Sequence, residues 1–269
     1  MNNDIQLGKE QAYPQEYDPN LLVSIPRAEN RQHYLNENSP QFVGEDIWTA
    51  YEVSWLDAKG KPIVRIAEFS FSAASDCIVE SKSFKYYLNS FNQSRFESEE
   101  QVVARLQEDL SKASGAPVSI SLGSLNQAFQ SEALSGVCVD DLPVEITNYT
   151  PSKTLLLQDE PFVVDDELYS HLLKSNCPVT GQPDWATVWI RYSGKRIFPE
   201  SFLRYIVAYR NHQDFHESCV EKIYADIWEQ CSPAALTVYA RYTRRGGLDI
   251  NPLRSNVECD VPFRRLLRQ

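Results

Sequence analysis

Ser83-Phe84-Lys85-Tyr86-Tyr87-Leu88 and Ser201-Phe202-Leu203-Arg204-Tyr205-Ile206 carry one pattern of serine, aromatic and aliphatic residues 118 positions apart. The likeness extends outward from both copies. Phe96 matches Phe215 after a one-residue insertion, and Pro117 and Pro233 each precede an alternating apolar stretch. Upstream of the first copy, Ile47 to Trp55 alternates, with Ile47, Thr49, Tyr51, Val53 and Trp55 on one side. Asp57-Ala58-Lys59-Gly60-Lys61 then turns the chain into Ile63 to Phe71, which predicts a long β-hairpin. A helix follows over Ser83 to Phe91. A second starts at Ser98, which pairs with Gln101 as a capping box, and carries Val102, Val103, Leu106 and Leu110 on one stripe. Gly115 and Pro117 stop it, and Val118 to Leu122 alternates as a strand. The second copy runs in the same order: strand Trp185 to Tyr192, turn Ser193-Gly194-Lys195, return strand from Arg196 to Phe198, helices Ser201–Asn211 and His216–Cys231, and strand Leu236–Tyr242. Strand, strand, helix, helix, strand occurring twice predicts an α+β chain of two tandem modules, residues 1–150 and 151–269. Antiparallel sheets with helices on one face are expected. The stretch Ser124 to Glu167, polar and acidic, reads as a connector with short elements.

The 269 residues suffice for a substantial core, and 42% hydrophobic with 12% aromatic content excludes a mainly disordered chain. A net charge of -11 argues against strong direct capture of nucleic acid, which needs lysine and arginine on phosphates. Local clusters stand against that balance at Arg241, Arg244 and Arg245 and at Arg264, Arg265 and Arg268; a solvated charged surface explains them equally well. No apolar run is long enough to span a bilayer and the first residues lack a signal-peptide pattern, so a cytoplasmic protein is expected. Six cysteines, at 77, 138, 177, 219, 231 and 259, show no C-x-x-C spacing. Thiols rather than disulfides, and no metal, are expected.

One cysteine differs from the rest. Ser175-Asn176-Cys177-Pro178-Val179-Thr180-Gly181-Gln182-Pro183-Asp184-Trp185 places a thiol and a carboxylate seven residues apart across turn-forming residues, at the edge of an apolar strand. Cys177 as nucleophile and Asp184 as its acid/base partner would make the chain an enzyme. In a duplicated chain the cleft between modules is a natural site, each copy keeping half of it. The first copy supplies the charged, hydroxyl-rich junction Val79-Glu80-Ser81-Lys82, and the second supplies the cysteine loop and His216-Glu217.

Glu80-Ser81-Lys82-Ser83-Phe84-Lys85-x-Tyr87 resembles the signature of the NADPH-dependent 7-cyano-7-deazaguanine reductases, the nitrile reductases of queuosine biosynthesis. The cysteine loop is similar to their nucleophile segment. Leu7-Gly8-Lys9-x-x-x-Tyr13 and Arg244-Arg245-Gly246-Gly247-x-Asp249-Ile250-Asn251-Pro252 resemble the long-chain form. The resemblance covers nearly the whole chain and implies the tunnelling fold, whose modules agree with the duplication. It also implies a homodimer, a small deazapurine substrate and NADPH as co-substrate.

The implied chemistry suits the residues. A nitrile accepts hydride poorly; adding the Cys177 thiol first would give a thioimide, whose C=N bond behaves as an imine. Asp184 would take the thiol proton and deliver it to nitrogen, a role that requires burial, with Trp185 as a candidate source of it. The resemblance places substrate at Val79, Glu80, Ser81, His216 and Glu217. Either Glu80 or Glu217 would read the donor face of the deazaguanine ring, and His216 is a candidate later proton source. It places NADPH at Ser81, Lys82, Arg245 and Gly246, with Lys82 and Arg245 suited to phosphate. No G-x-G-x-x-G occurs, which excludes a Rossmann platform.

Taken singly, each residue has a plainer explanation: Cys177 a packed thiol, Asp184 a turn residue, Glu80 a charge at a helix start. A cyclohydrolase-like tunnelling-fold enzyme would need a zinc cluster, for which only His216 and Cys219 stand close. A non-catalytic purine binder would not need the Cys177/Asp184 pair. The reductase reading requires Cys177 and Glu80 to open on one cavity.

Overall fold

The computed structural model describes residues 14, 16–35, 39, 41–126, 134–258 and 265–269. The segment Leu7 to Tyr13 and Cys259 and Arg264 lie outside these residues. Ten strands and five helices follow one another as β1 (Ser24–Pro26), α1 (Arg27–Arg31), β2 (Val43–Leu56), β3 (Pro62–Ser72), β4 (Cys77–Val79), α2 (Ser81–Ser90), α3 (Glu99–Ser114), β5 (Val118–Gly123), β6 (Val137–Cys138), β7 (Gln158–Asn176), β8 (Pro183–Ile197), α4 (Pro199–Val207), α5 (His216–Cys231), β9 (Ala235–Tyr242) and β10 (Leu248–Ser255). The fold is α+β. Strands β1 and β4 form a small antiparallel ladder, and the other eight form one sheet in the order β5-β3-β2-β10-β9-β8-β7-β6, antiparallel except for the short β6–β7 contact.

The first hairpin forms as the alternation predicts, with one change. A bulge between Ala50 and Val53 shifts the register, so the core-facing row is Trp48, Ala50, Val53 and Trp55 rather than Ile47 to Trp55 in strict alternation. An inserted residue reverses which side later side chains take. Helix α3 starts at the expected cap, where the Ser98 hydroxyl accepts the Gln101 N–H at 3.4 Å, although the Gln101 side chain accepts from Glu97 N–H, not Ser98. It ends at Gly115 in the left-handed conformation, φ 78°.

The later half of the chain departs from its expected strand boundaries. Ser193-Gly194-Lys195 is not a turn: β8 runs straight through it, Gly194 opposite Val163 and Lys195 opposite Phe162. The partner strand β7 begins inside the supposed connector, so the hairpin lies one strand earlier and its tip is the cysteine loop. After β9 the chain adds β10, which enters the sheet between β9 and β2 and joins the halves. Ile250 pairs with Trp48 while Arg254 pairs with Val238, so one row of β10 faces the helices of both modules. Two buried clusters result. One packs Trp48, Phe69, Phe84, Leu106 and Ile250 under α2 and α3; the other packs Ile190, Val238, Phe202, Ile223 and Tyr224 under α4 and α5, and also takes Val139 and Leu156 from the connector.

Buried charge links elements from the two ends of the chain. Asp46 of β2 pairs with Arg27 at 2.6 Å and with Arg254 at 2.8 Å. Arg254 also pairs with Glu221 of α5 at 2.8 Å, and Arg31 reaches the same carboxylate at 2.8 Å. The arginine clusters named from sequence are not free surface: Arg241 is buried, Arg244 lies over the Tyr51 ring, and Arg268 donates to the His171 and Ala186 carbonyls.

Candidate active site

The cleft forms where three connections converge at one end of the sheet. On one side, β1 fixes β4, with Ser24 opposite Val79, and the Glu80 N–H donates to the Val23 carbonyl at 2.8 Å. Glu80 then caps α2: its carboxylate accepts the N–H groups of Lys82 at 2.9 Å and Ser83 at 2.6 Å. The first turn of a helix leaves those donors unpaired, and an anionic cap satisfies them. On the other side, the loop after β7 closes through Cys177 N–H to the Gln182 carbonyl and Gly181 N–H to the Cys177 carbonyl, both 2.9 Å. The Asn176 N–H donates to the His212 carbonyl at 2.8 Å and the Asn176 carbonyl accepts from the Asp214 N–H at 3.2 Å, which holds this loop against the start of α5. The β9–β10 turn brings Arg245.

Val79, Glu80 and Ser81 of the first module line one cleft with Cys177, Asp184, His216, Glu217 and Arg245. The thiol and Glu80 therefore open on a single cavity within one chain. Lys82 and Gly246 line a neighbouring cavity of about 330 Å³, together with Lys85, Tyr86 and Asn89. Gly246 has φ 60°, and a Cβ there would sit 3.4 Å from the Lys85 side chain. Sequence reading missed Phe215, Asp214 and Trp48 as lining residues, and Lys85 beside them. Phe215 adjoins His216 at the start of α5, and Lys85 stands inside the motif quoted above. Their chemistry alone did not separate them from packing residues.

Burial pushes the Cys177 thiol up, but hydrogen bonds from the Thr180 hydroxyl, the Thr180 and Val179 N–H groups and Arg245 outweigh it, so the thiol ionises more readily than usual. Asp184 extends the core-facing row Ala186, Val188 and Ile190 to the end of β8, where the core opens into the cleft; it is 6% exposed. Trp185 alternates to the other face, where Arg210 covers its ring, so it is not what buries Asp184. Asp184 Oδ1 pairs with Arg245 at 2.9 Å, and Oδ2 lies 3.5 Å from His216 Nε2. The His216 ring lies against Tyr242, centroids 3.8 Å apart. Glu217 is buried, and desolvation together with the Asp46 charge pushes its carboxyl up to about 8. Cys219 lies in the core, its thiol pushed up to about 12 by burial, and does not join His216 in the cleft. The one cluster of metal-ligand types among the described residues is Cys138 of β6, Asp140 just after it and His171 of β7. The Asp140 oxygens there already accept from the Ser170 hydroxyl and the His171 N–H.

A cleft that gathers a thiol, a buried carboxylate and an imidazole holds the groups that acid–base and nucleophilic catalysis use. Comparison with known proteins narrows the class. Residues 13–122 match the family model described as nitrile reductase, 7-cyano-7-deazaguanine-reductase N-term, and residues 183–260 match QueF-like protein. The NADPH-dependent 7-cyano-7-deazaguanine reductase of Saccharophagus degradans is 55% identical over 99% of this chain and 100% of its own. That of Hydrogenovibrio crunogenus is 50% identical over 98% of this chain and 96% of its own. The chain belongs to this reductase family. A solved structure, archaeosine synthase QueF-Like in the apo form, aligns with 38% of this chain and 100% of its own at TM-score 0.33 and 17% identity, too distant to carry an argument.

Proposed function

We propose that this chain reduces the nitrile of 7-cyano-7-deazaguanine to an aminomethyl group, consuming two NADPH and two protons, in queuosine biosynthesis. Family membership supports the reaction. The observation that carries the mechanism is the meeting of Cys177 and Asp184 with Glu80 and Glu217 in one cleft. The Cys177 sulfur bonds to the nitrile carbon, one C–N π bond breaks, and the thiol proton reaches nitrogen through Asp184, giving a thioimide. A first hydride adds to that carbon. The C–S bond then cleaves, returning the electron pair to sulfur and leaving an imine, which takes the second hydride. His216, beside Asp184, resupplies protons.

Glu80 spends its oxygens on capping α2. Glu217, buried and lining the same cleft, is the carboxylate that reads the ring N–H and exocyclic amine; Val79, Glu80 and Ser81 form the rest of the wall. Ser81, Lys82, Arg245 and Gly246 hold NADPH, the last three around or beside the neighbouring cavity. The working unit is a cytoplasmic homodimer of two-module subunits, residues 1–150 and 151–269, in the tunnelling fold. The open edge of β5 and the exposed Phe162 and Val164 on β7 support closure by a second copy; sedimentation at a single monomer mass would refute that part. For the reaction, the protein is incubated with 7-cyano-7-deazaguanine and its intact mass and absorbance are recorded. An adduct equal to the whole substrate mass, absent from Cys177→Ala and discharged by NADPH, is expected. Bound but unmodified substrate would overturn the covalent route.

A further inference from the structure

Arg245 stands in the cleft as well as beside the cofactor cavity, and its contacts there are with the reacting groups. Its Nη2 lies 2.9 Å from Asp184 Oδ1, and its Nη1 donates to Gln182 Oε1, in the Cys177 loop, at 2.7 Å. Its backbone is fixed by the tight β9–β10 turn, where Arg245 N–H donates to the Leu248 carbonyl at 3.0 Å across Gly246 and Gly247. The side chain is 30% exposed, and its neighbours Gly246 and Gly247 line the second cavity. A planar guanidinium that spans a carboxylate and an amide oxygen has committed those donor edges. It cannot hold a phosphate with the same edges.

We propose that Arg245 is a positioning residue for the covalent step, clamping Asp184 and the Cys177 loop until a cofactor phosphate draws it away. This rests on the reductase reading above. Before cofactor arrives, the clamp holds a positive charge against Asp184 and the Cys177 loop and keeps that loop aimed into the cleft. When NADPH binds, the guanidinium turns to phosphate and leaves Asp184 to His216, freed for the proton transfers that accompany hydride delivery. The arrangement ties the two halves of the reaction together without a moving domain. Other titratable and charged groups face the thiol: Lys85 and Glu80 from the α2 side, Asp184 on β8, and Asp214, His216 and Glu217 at the start of α5. Lys85 is the one other cation among them, and burial and then the Arg245 charge hold it below the ordinary lysine range.

The test uses the full chain without NADPH and reads the pH dependence of Cys177 alkylation by iodoacetamide, located by peptide mass. Arg245→Gln is expected to react roughly tenfold more slowly than wild type near neutral pH and to converge with it in alkali, as loss of one partly exposed charged hydrogen bond implies. Arg245→Lys, which keeps the charge but not the fork, is expected between the two and serves if the glutamine variant does not fold. Adenosine 2′,5′-bisphosphate, which carries phosphates without a nicotinamide, should move the wild-type profile toward that of Arg245→Gln and leave the variant's unchanged. Superimposable profiles for wild type and both variants would overturn the clamp. A wild-type profile indifferent to saturating bisphosphate would overturn the exchange. Adduct formation by wild type with 7-cyano-7-deazaguanine is measured alongside, so failure of the parent reading is seen separately.

Discussion

Replacing Glu221 by glutamine keeps the shape of a side chain that is 2% exposed and removes only its charge. Arg254 grips the carboxylate at 3.0 and 2.8 Å, Arg31 at 2.9 and 2.8 Å, and the Tyr34 hydroxyl donates at 2.9 Å. Burial alone would push the acid up; the Arg254 and Arg31 charges reverse that and hold it at about 2, against an ordinary 4.5. A gap of that size corresponds to roughly 3 kcal/mol of stability. The folded value is the lower one, so the contribution is complete above the unfolded value of 4.5 and is lost as pH falls toward 2. Breaking a buried ion pair from one side gives an independent figure of about 3–5 kcal/mol. Arg254, with no exposed surface, would be left to Asp46. Glu221→Gln should therefore melt roughly 5–10 °C below wild type near neutral pH. Scanning calorimetry of both proteins across acid pH should show the difference closing below about pH 4.5. Equal melting temperatures at neutral pH, or a difference that does not change with acid, would refute the reasoning.

One helical turn earlier, Glu217 behaves oppositely. Its folded value of about 8 lies above the ordinary 4.5, so ionising it costs the empty protein stability as pH rises through that interval. Calorimetry should find Glu217→Gln more heat-stable than wild type, by a margin that widens to about pH 8 and then levels. The ring donors of the substrate favour the ionised carboxylate, so substrate affinity should rise with pH up to the same point, with proton release visible as buffer-dependent binding heats. At Gly44, φ is 153° and a Cβ would lie 1.9 Å from the Leu253 carbonyl oxygen. Gly44→Ala should push β2 off β10 and lower stability by about 3 kcal/mol, read from the urea midpoint. Phe84 is fully buried, with its ring edge-on to Trp48 and Phe69. Phe84→Ala should cost about 3–5 kcal/mol in the same assay, and an effect under 1 kcal/mol would mean this core is not packed as described.

Local signals located most of the scaffold. Ser98, Gly115 and the 3.6-residue stripe bounded α3, and His216 to Cys231 is the helix its periodicity implied. The β2–β3 hairpin was equally legible, but the bulge at Tyr51–Glu52 was not, because it answers to the turn just before β10, whose Gly247 carbonyl takes the Tyr51 N–H. The strands β7 and β10 escaped because their residues are charged and interrupted by proline. Their pairing is decided by neighbours far away in sequence rather than by propensity. Ser193-Gly194-Lys195 looked like a turn for the same reason in reverse: glycine there lets the strand pass Pro233, where a Cβ would come within 3.1 Å. In the site, residue types and order brought Cys177, Asp184, His216, Glu217 and Glu80 together on paper, and they line one cleft. That Glu80 is spent on a helix cap, and that Arg245 grips Asp184, are facts of three-dimensional contact that no spacing encodes.

The place of β10 has a consequence for how the enzyme is made. The last strand among the described residues is the one that bonds to β2, near the start of the chain. Translation delivers the first module long before this seam can be sewn, leaving the β2 edge waiting. Arg245 emerges at the same late moment. A ribosome that stalls before the β9–β10 turn would release a protein with its thiol loop already synthesised and its guanidinium missing, so incomplete products would be born without a formed reaction centre.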